Sequence, residues 1–159
     1  MSVIGLFAVV GFASAASLET EVRTAYNSFR NSVERYDVSA VSKFLDPGFT
    51  LNLPSGQILS RSRYLDAVVA RKSMSVGVGA HTFKLTSVRE KGGYVRAKVN
   101  LTLDSKFSDG NLMTHKLKTV EQKDLTWKRT SAGLKLITIF ANEVTTIVDG
   151  KQVSRVVRK

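Results

Sequence analysis

Two side chains in this chain have the types that acid–base chemistry asks for: Tyr26, a phenol able to donate a hydrogen bond, and Glu121, a carboxyl able to take a proton. Tyr26 falls on the apolar stripe of a helical segment, where its ring also serves simply as packing. Glu121 has two placements. If side chains alternate without interruption from Leu112 to Arg129, with Leu117, Leu125 and Trp127 inward, then His115, Thr119, Glu121 and Lys123 share the inner face. If a bulge near Gln122 resets the alternation, Val120 turns inward and Glu121 goes to water. His115 and Glu121 lie about 20 Å apart on one strand, so they cannot act as a direct pair. His115, after a hairpin turn, and His81, opening a strand, both read as solvent-facing.

Other chemistries find no support. The chain has no cysteine, which excludes disulfides, thiolate catalysis and cysteine-rich metal sites. Its two histidines stand far apart with no His-Glu-x-x-His spacing, so no metal is expected. Val76-Gly77-Val78-Gly79-Ala80 lacks the third glycine and the following helix of a phosphate-cradling loop, and Gly-x-Ser-x-Gly does not occur. No cofactor is expected.

The elements that would position these residues begin after a leader-like segment. Val3 to Phe12 is nearly all apolar and Ala13-Ser14-Ala15 offers the small residues that a signal peptidase reads. Residues 1–16 therefore read as a signal peptide, giving an exported protein, periplasmic or secreted, with a single domain over 17–159. Leu18, Val22, Ala25, Tyr26, Phe29, Val33 and Tyr36 trace one stripe of a helix, with Arg23, Asn27, Arg30 and Glu34 on its other faces. Asp37 can cap a short second helix carrying Val38, Val41, Phe44 and Leu45. Asp46-Pro47-Gly48 stops it, with Gly48 at positive φ. Phe49, Leu51 and Leu53 then alternate with Thr50 and Asn52, Pro54-Ser55-Gly56 turns, and Ser60 opens a third helix through Tyr64, Leu65, Val68 and Val69 that frays into a loop over Ser75 to Ala80.

From His81 onward the period becomes two. Val95, Ala97, Val99, Leu101 and Leu103 alternate with polar residues, and Lys91-Gly92-Gly93, Ser108-Asp109-Gly110-Asn111, Thr130 to Gly133 and Asp149-Gly150 mark turns. Long antiparallel strands accumulate twist. The predicted fold is α+β: a strongly curved, cone-shaped antiparallel sheet packed on three N-terminal helices.

This order of elements, with Phe44-Leu45-Asp46-Pro47-Gly48-Phe49-Thr50-Leu51, the Pro54-Ser55-Gly56 turn, Ser60-Arg61-Ser62-Arg63-Tyr64-Leu65, Leu125-Thr126-Trp127-Lys128-Arg129 and Gly133 to Ile137, resembles the nuclear transport factor 2-like superfamily, in particular its SnoaL-like and ketosteroid isomerase-like bacterial members. The resemblance implies an α+β cone whose hollow is the functional site, though a fold that hosts isomerases, dehydratases, hydrolases and plain binding domains does not fix an activity. In the isomerase-like members a carboxylate base lies near the end of the first strand; here that neighbourhood holds Asn52 and Leu53, and asparagine cannot act as that base. Where such proteins carry polar groups in the last strand, this chain has Thr138 and Phe140. The expected pocket wall is Tyr26, Phe29 and Tyr64 from the helices, and Asn52, Val99, Leu101, Leu117, Thr119, Glu121, Trp127 and Phe140 from the strands.

The chain carries 24 Lys and Arg against 13 Asp and Glu, a net charge of +11 that favours anionic surfaces. Arg96 and Lys98 on one strand and Lys116 and Lys118 on the next are expected to form a basic convex patch, continued by Lys151, Arg155, Arg158 and Lys159. Tyr94 alone offers an outer stacking surface, so nucleic acid is an unlikely partner and an acidic polymer or membrane surface the better one. Ile137, Ile139 and Ile147, opposite Leu136 and Phe140, suggest an apolar convex strip and a homodimer. Three functions fit: a binder of a small, partly apolar ligand; an isomerase, dehydratase or hydrolase with Glu121 as base and Tyr26 as donor; or an interaction domain using the basic face.

Overall fold

The computed structural model describes residues 15–74, 77–108 and 113–159; the expected leader up to residue 14 and the hairpin tip at 109–112 lie outside them. Three helices, α1 (Ala15–Glu34), α2 (Val38–Phe44) and α3 (Arg61–Met74), pack on a curved, open sheet. Its strands are β1 (Leu45–Asn52), β2 (Ile58–Ser60), β3 (Gly77–Lys91), β4 (Tyr94–Ser108), β5 (Thr114–Thr130), β6 (Gly133–Val148) and β7 (Lys151–Val157). The order is β2-β1-β6-β5-β4-β3, with β7 also on β6. All pairings are antiparallel except β1 with β6, so the sheet is mixed. β1 occupies the first half of one β6 edge and β7 the second half. The basic C-terminal tail is thus a strand of the sheet.

Local chemistry sets the boundaries. Asp37 caps α2, its Oδ1 accepting from the Ala40 amide at 2.9 Å. The cap of α3 is longer, Arg63 N to Ser60 Oγ at 3.4 Å. α2 ends differently from the expectation: Leu45 is already extended, and Gly48 does not take a positive φ. Asp46 Oδ1 instead accepts from the Gly48 amide at 2.9 Å, holding the bend through a side chain. Where left-handed backbone is needed, Gly92 and Gly93 supply φ of 60° and 76° and close the β3–β4 hairpin. Residues 77–80, expected in a loop, extend β3.

The core lies between the helices and the inner sheet face. Val22, Tyr26 and Phe29 of α1 and Val41 of α2 meet Val95, Ala97 and Val99 of β4, Leu125 and Trp127 of β5 and Leu136 of β6. Strand β4 alternates without a fault from Tyr94 to Leu101, and its pairing with β5 runs in unbroken register from Tyr94↔Lys128 to Ser108↔Thr114. In the β5–β6 pairing the irregularities fall on β6. Trp127 faces Leu136 and Thr126 faces Thr138, leaving Ile137 as an extra residue; Lys123 faces Ala141 and Gln122 faces Glu143, leaving Asn142 as another. Each bulge flips the alternation. The inward residues of β6 are accordingly Leu134, Leu136, Ile139, Ala141 and Val144, at spacings of two and three. Ile139 is a core residue, and the expected convex strip of Ile137, Ile139 and Ile147 is broken by it.

At the end of the cone formed by the β3–β4 turn, Arg129 joins three elements. Its Nη1 and Nη2 bond the Glu21 carboxylate of α1 at 2.6 and 2.9 Å, and its Nε and Nη2 bond Glu90 of β3 at 2.7 and 2.9 Å. With about a third of each side chain exposed, screening limits the gain. Arg129→Gln is expected to cost about 1 kcal/mol at pH 7 in urea unfolding. The hydrogen bond from Arg129 holds Glu90 below its ordinary value. A depressed folded-state carboxyl adds stability above the unfolded value, near 4.3, that is lost as pH falls through the folded one. The variant and the parent should therefore converge in stability on acidification, and a constant gap would contradict this account.

Candidate functional site

The three helices and the inner sheet face leave a cavity of about 920 Å³, within the range of small-molecule sites. Apolar side chains make most of its wall: Phe29 and Val33 from α1, Leu51 and Leu53 from β1, Val68 from α3, Leu101 and Leu103 from β4, and Ile139, Ala141 and Val144 from β6. Tyr26 and Tyr64 complete an aromatic lining. Tyr26 stacks on Phe83 at 4.5 Å between ring centres, and Phe29 lies between Tyr26 and Tyr64 at 6.2 and 6.3 Å.

Of the expected pocket residues, Tyr26, Phe29, Tyr64, Leu101, Leu117, Thr119 and Glu121 border this cavity. Val99 and Trp127 do not: both point inward, but they are covered by the helices and lie in the solid core at 1% and 0% exposure. Asn52 and Phe140 do not either. They are register partners on β1 and β6, and the alternation that turns Leu51 and Ile139 inward turns both of them outward. Asn52 Nδ2 bonds Thr50 Oγ1 at 3.4 Å, and Phe140 lies under the Arg158 guanidinium at 4.5 Å.

Because β5 carries no bulge against β4, Leu117, Thr119, Glu121 and Lys123 all face the cavity. Glu121 is ion-paired with Lys123, two residues on along the same face, and about a fifth of each side chain is exposed. Burial pushes the Glu121 carboxyl up, but the Lys123 charge and hydrogen bond, helped by Arg71, outweigh it and leave the group below its ordinary value. The catalytic role weighed for Glu121 needs a carboxyl raised by burial; this one is a paired, weakly basic carboxylate.

A second polar group was not anticipated. Arg30 and Glu34, expected on faces of α1 other than its apolar stripe, border the cavity and form an ion pair with side chains 11% and 25% exposed. Burial lowers the Arg30 value. His81, expected at the surface, also lines the cavity, its Nδ1 3.8 Å from Glu34 Oε1. The sequence signal was the i, i+4 spacing of Arg30 and Glu34 next to Phe29 and Val33, which widens the inward face of α1. His115 is instead held outside the cavity by Asp149, Nδ1 to Oδ2 at 2.8 Å.

Burial chiefly keeps both phenols protonated: Tyr26 lies above the ordinary phenol range, with the Glu121 charge adding to the rise, and Tyr64 is pushed up to about 12. Both hydroxyls are donors at neutral pH. Neither finds a protein acceptor among the described residues.

On the convex face, the expected basic patch is divided. Arg96 and Lys98 lie opposite Thr126 and Asp124 near one end of β4, whereas Lys116 and Lys118 lie opposite Lys106 and Asp104 near the other. In β7, Arg155 Nε is bonded to Glu143 at 2.7 Å.

The fold is that of the nuclear transport factor 2-like superfamily. Solved structures similar to this chain include a nuclear transport factor 2-like protein from Cytophaga hutchinsonii (TM-score 0.58, 13% identity, covering 77% of this chain and 95% of that one). Others are a ketosteroid isomerase-like protein from Erwinia carotovora (TM-score 0.58, 9% identity, 85% and 95% covered) and a protein described as a scytalone dehydratase from Novosphingobium aromaticivorans (TM-score 0.69, 7% identity, 88% and 91% covered). No protein-family model matches the sequence, and no curated protein matches it. At such identities the likeness speaks for the fold alone.

Proposed function

We propose that the protein binds a small, partly apolar ligand in the cone cavity and does not transform it. The observation that carries this reading is the state of the cavity's polar groups. Both of its carboxylates, Glu34 and Glu121, are already held by cations, while the Tyr26 and Tyr64 hydroxyls have no protein acceptor among the described residues. Such a wall can orient a guest but offers no unpaired carboxylate as a base. A proton-transfer reading would have to use His81 beside Glu34. Their 3.8 Å separation exceeds a hydrogen bond, and Arg30 already engages that carboxylate, so nothing fixes the imidazole tautomer as a general base needs.

The test is native mass spectrometry of protein purified from its own source. A co-purified small molecule that is released unchanged on denaturation is the expected result, with no turnover when it is added back. An empty protein that gains no mass with any of a panel of amphipathic compounds would overturn the reading.

A further inference from the structure

The charged groups of the cavity wall are unbalanced in one direction: its cations outnumber its carboxylates, which are already paired. Arg30 Nη1 is buried and has no hydrogen-bond partner among the described residues, on a side chain 11% exposed. Tyr26 and Tyr64 also border the cavity, and their hydroxyls find no protein acceptor among the described residues. Arg71, on one helical face with Tyr64 and Val68 at spacings of three and four, borders the cavity as an exposed side chain and has no carboxylate partner among the described residues. Its charge reaches both Tyr64 and Glu121. The acceptors that could answer these donors, Glu34 and Glu121, are taken by Arg30 and Lys123. Lys106 also borders the cavity, exposed like Arg71, but sits at an outward position of β4. A buried donor left unmatched, as at Arg30 Nη1, is costly, and a guest that supplies only acceptors removes that cost while also meeting the exposed Arg71.

We infer that the ligand is an amphipathic carboxylate, its apolar body against the Phe29, Leu51 and Leu101 wall and its carboxylate held by Arg71 and the Tyr64 hydroxyl. This rests on the binding function proposed above and adds the ligand's chemical class. A carboxylate accepts through both oxygens and donates nothing, and a guanidinium can meet both at once. An alcohol of the same chain length offers fewer acceptor sites and no charge, and an ammonium offers only more donors.

The test is calorimetric titration of the full protein with decanoate, decan-1-ol and decylammonium at pH 8, where ordinary imidazoles are neutral. Decanoate is expected to bind at least about tenfold more tightly than the alcohol, and decylammonium weakest, in line with one charge-assisted contact. Arg71→Gln should bring decanoate to the level of the alcohol while leaving the alcohol unchanged, and Arg71→Lys should recover part of the preference. Tyr64→Phe should lose a smaller factor on decanoate alone. Equal binding of alcohol and carboxylate, or a preference that survives Arg71→Gln, would overturn the inference while leaving the binding function intact. Failure of all three probes to bind would count against the binding function itself and take the inference with it.

Discussion

Replacing Trp127 with alanine is expected to cost about 4 kcal/mol in urea unfolding, the largest effect of any single change in this chain. Trp127 is fully buried, and its register partners Val95 and Leu136 are fully buried too. The helices close over it, so the void left by the indole has no open side through which the structure could collapse or water enter. The phenylalanine variant separates volume from hydrogen bonding. Trp127 Nε1 is buried without an acceptor among the described residues, a penalty of about 1–3 kcal/mol already present in the native state. Trp127→Phe removes that donor along with some packing, and the two effects oppose each other. We expect it to cost less than about 2 kcal/mol, leaving a gap of at least about 2 kcal/mol between the two variants. If the phenylalanine and alanine variants were equally destabilised, the packing role assigned to this ring would be wrong.

Trp127 also shows how far the sequence could be read. Its inward direction followed from alternation with Leu125, but whether an inward residue lines a hollow or fills a core depends on the depth at which the helices stop. That is decided by contacts between α1, α2 and the sheet, which no local pattern encodes. Val99 was displaced from the cavity for the same reason. Phe140 and Ile139 failed in another way: their exchange of faces comes from one extra residue at Ile137, in a run of apolar residues where either parity looks acceptable. By contrast, β4 and the Gly92-Gly93 hairpin were legible because every polar residue from Tyr94 to Leu101 faces out and both glycines are needed for positive φ. Glu121 lay between these cases. The bulge that would turn it outward is expected on β5, but in the β5–β6 pairing the extra residues lie on β6, at Ile137 and Asn142. The Asn142 carbonyl freed there accepts from the Arg158 amide at 2.8 Å, so the end of β7 satisfies the second bulge.

The second large effect is expected at Lys123. Removing its ammonium as Lys123→Met leaves the half-buried Glu121 carboxylate facing an apolar cavity, with only the more distant Arg71 for compensation. Breaking a buried pair from one side costs about 3–5 kcal/mol; with a fifth of each side chain exposed, about 2–3 kcal/mol is the expected loss at pH 7. Glu121→Gln, Lys123→Met together should recover most of it, because the charge and its partner leave at once. The pH dependence supplies an independent sign. In the parent, Glu121 lies below its ordinary value, so it contributes stability above the unfolded carboxyl value, near 4.3, and loses it as pH falls through the folded one. In Lys123→Met burial is opposed only by Arg71, and the folded carboxyl should rise above the unfolded value. It then favours folding in acid and opposes it at neutral pH, so this variant should gain stability relative to the double variant as pH drops from 7 to 5. The same substitution tests the chemistry of the cavity. A carboxyl raised in this way is the form a general acid or base would need, and the native chain has placed Lys123 two residues away on the same face, where it prevents that form from arising. If Lys123→Met were no less stable than the parent at pH 7, the ion pair would carry no weight, and the argument that this cavity holds its carboxylates out of reaction would lose its physical basis.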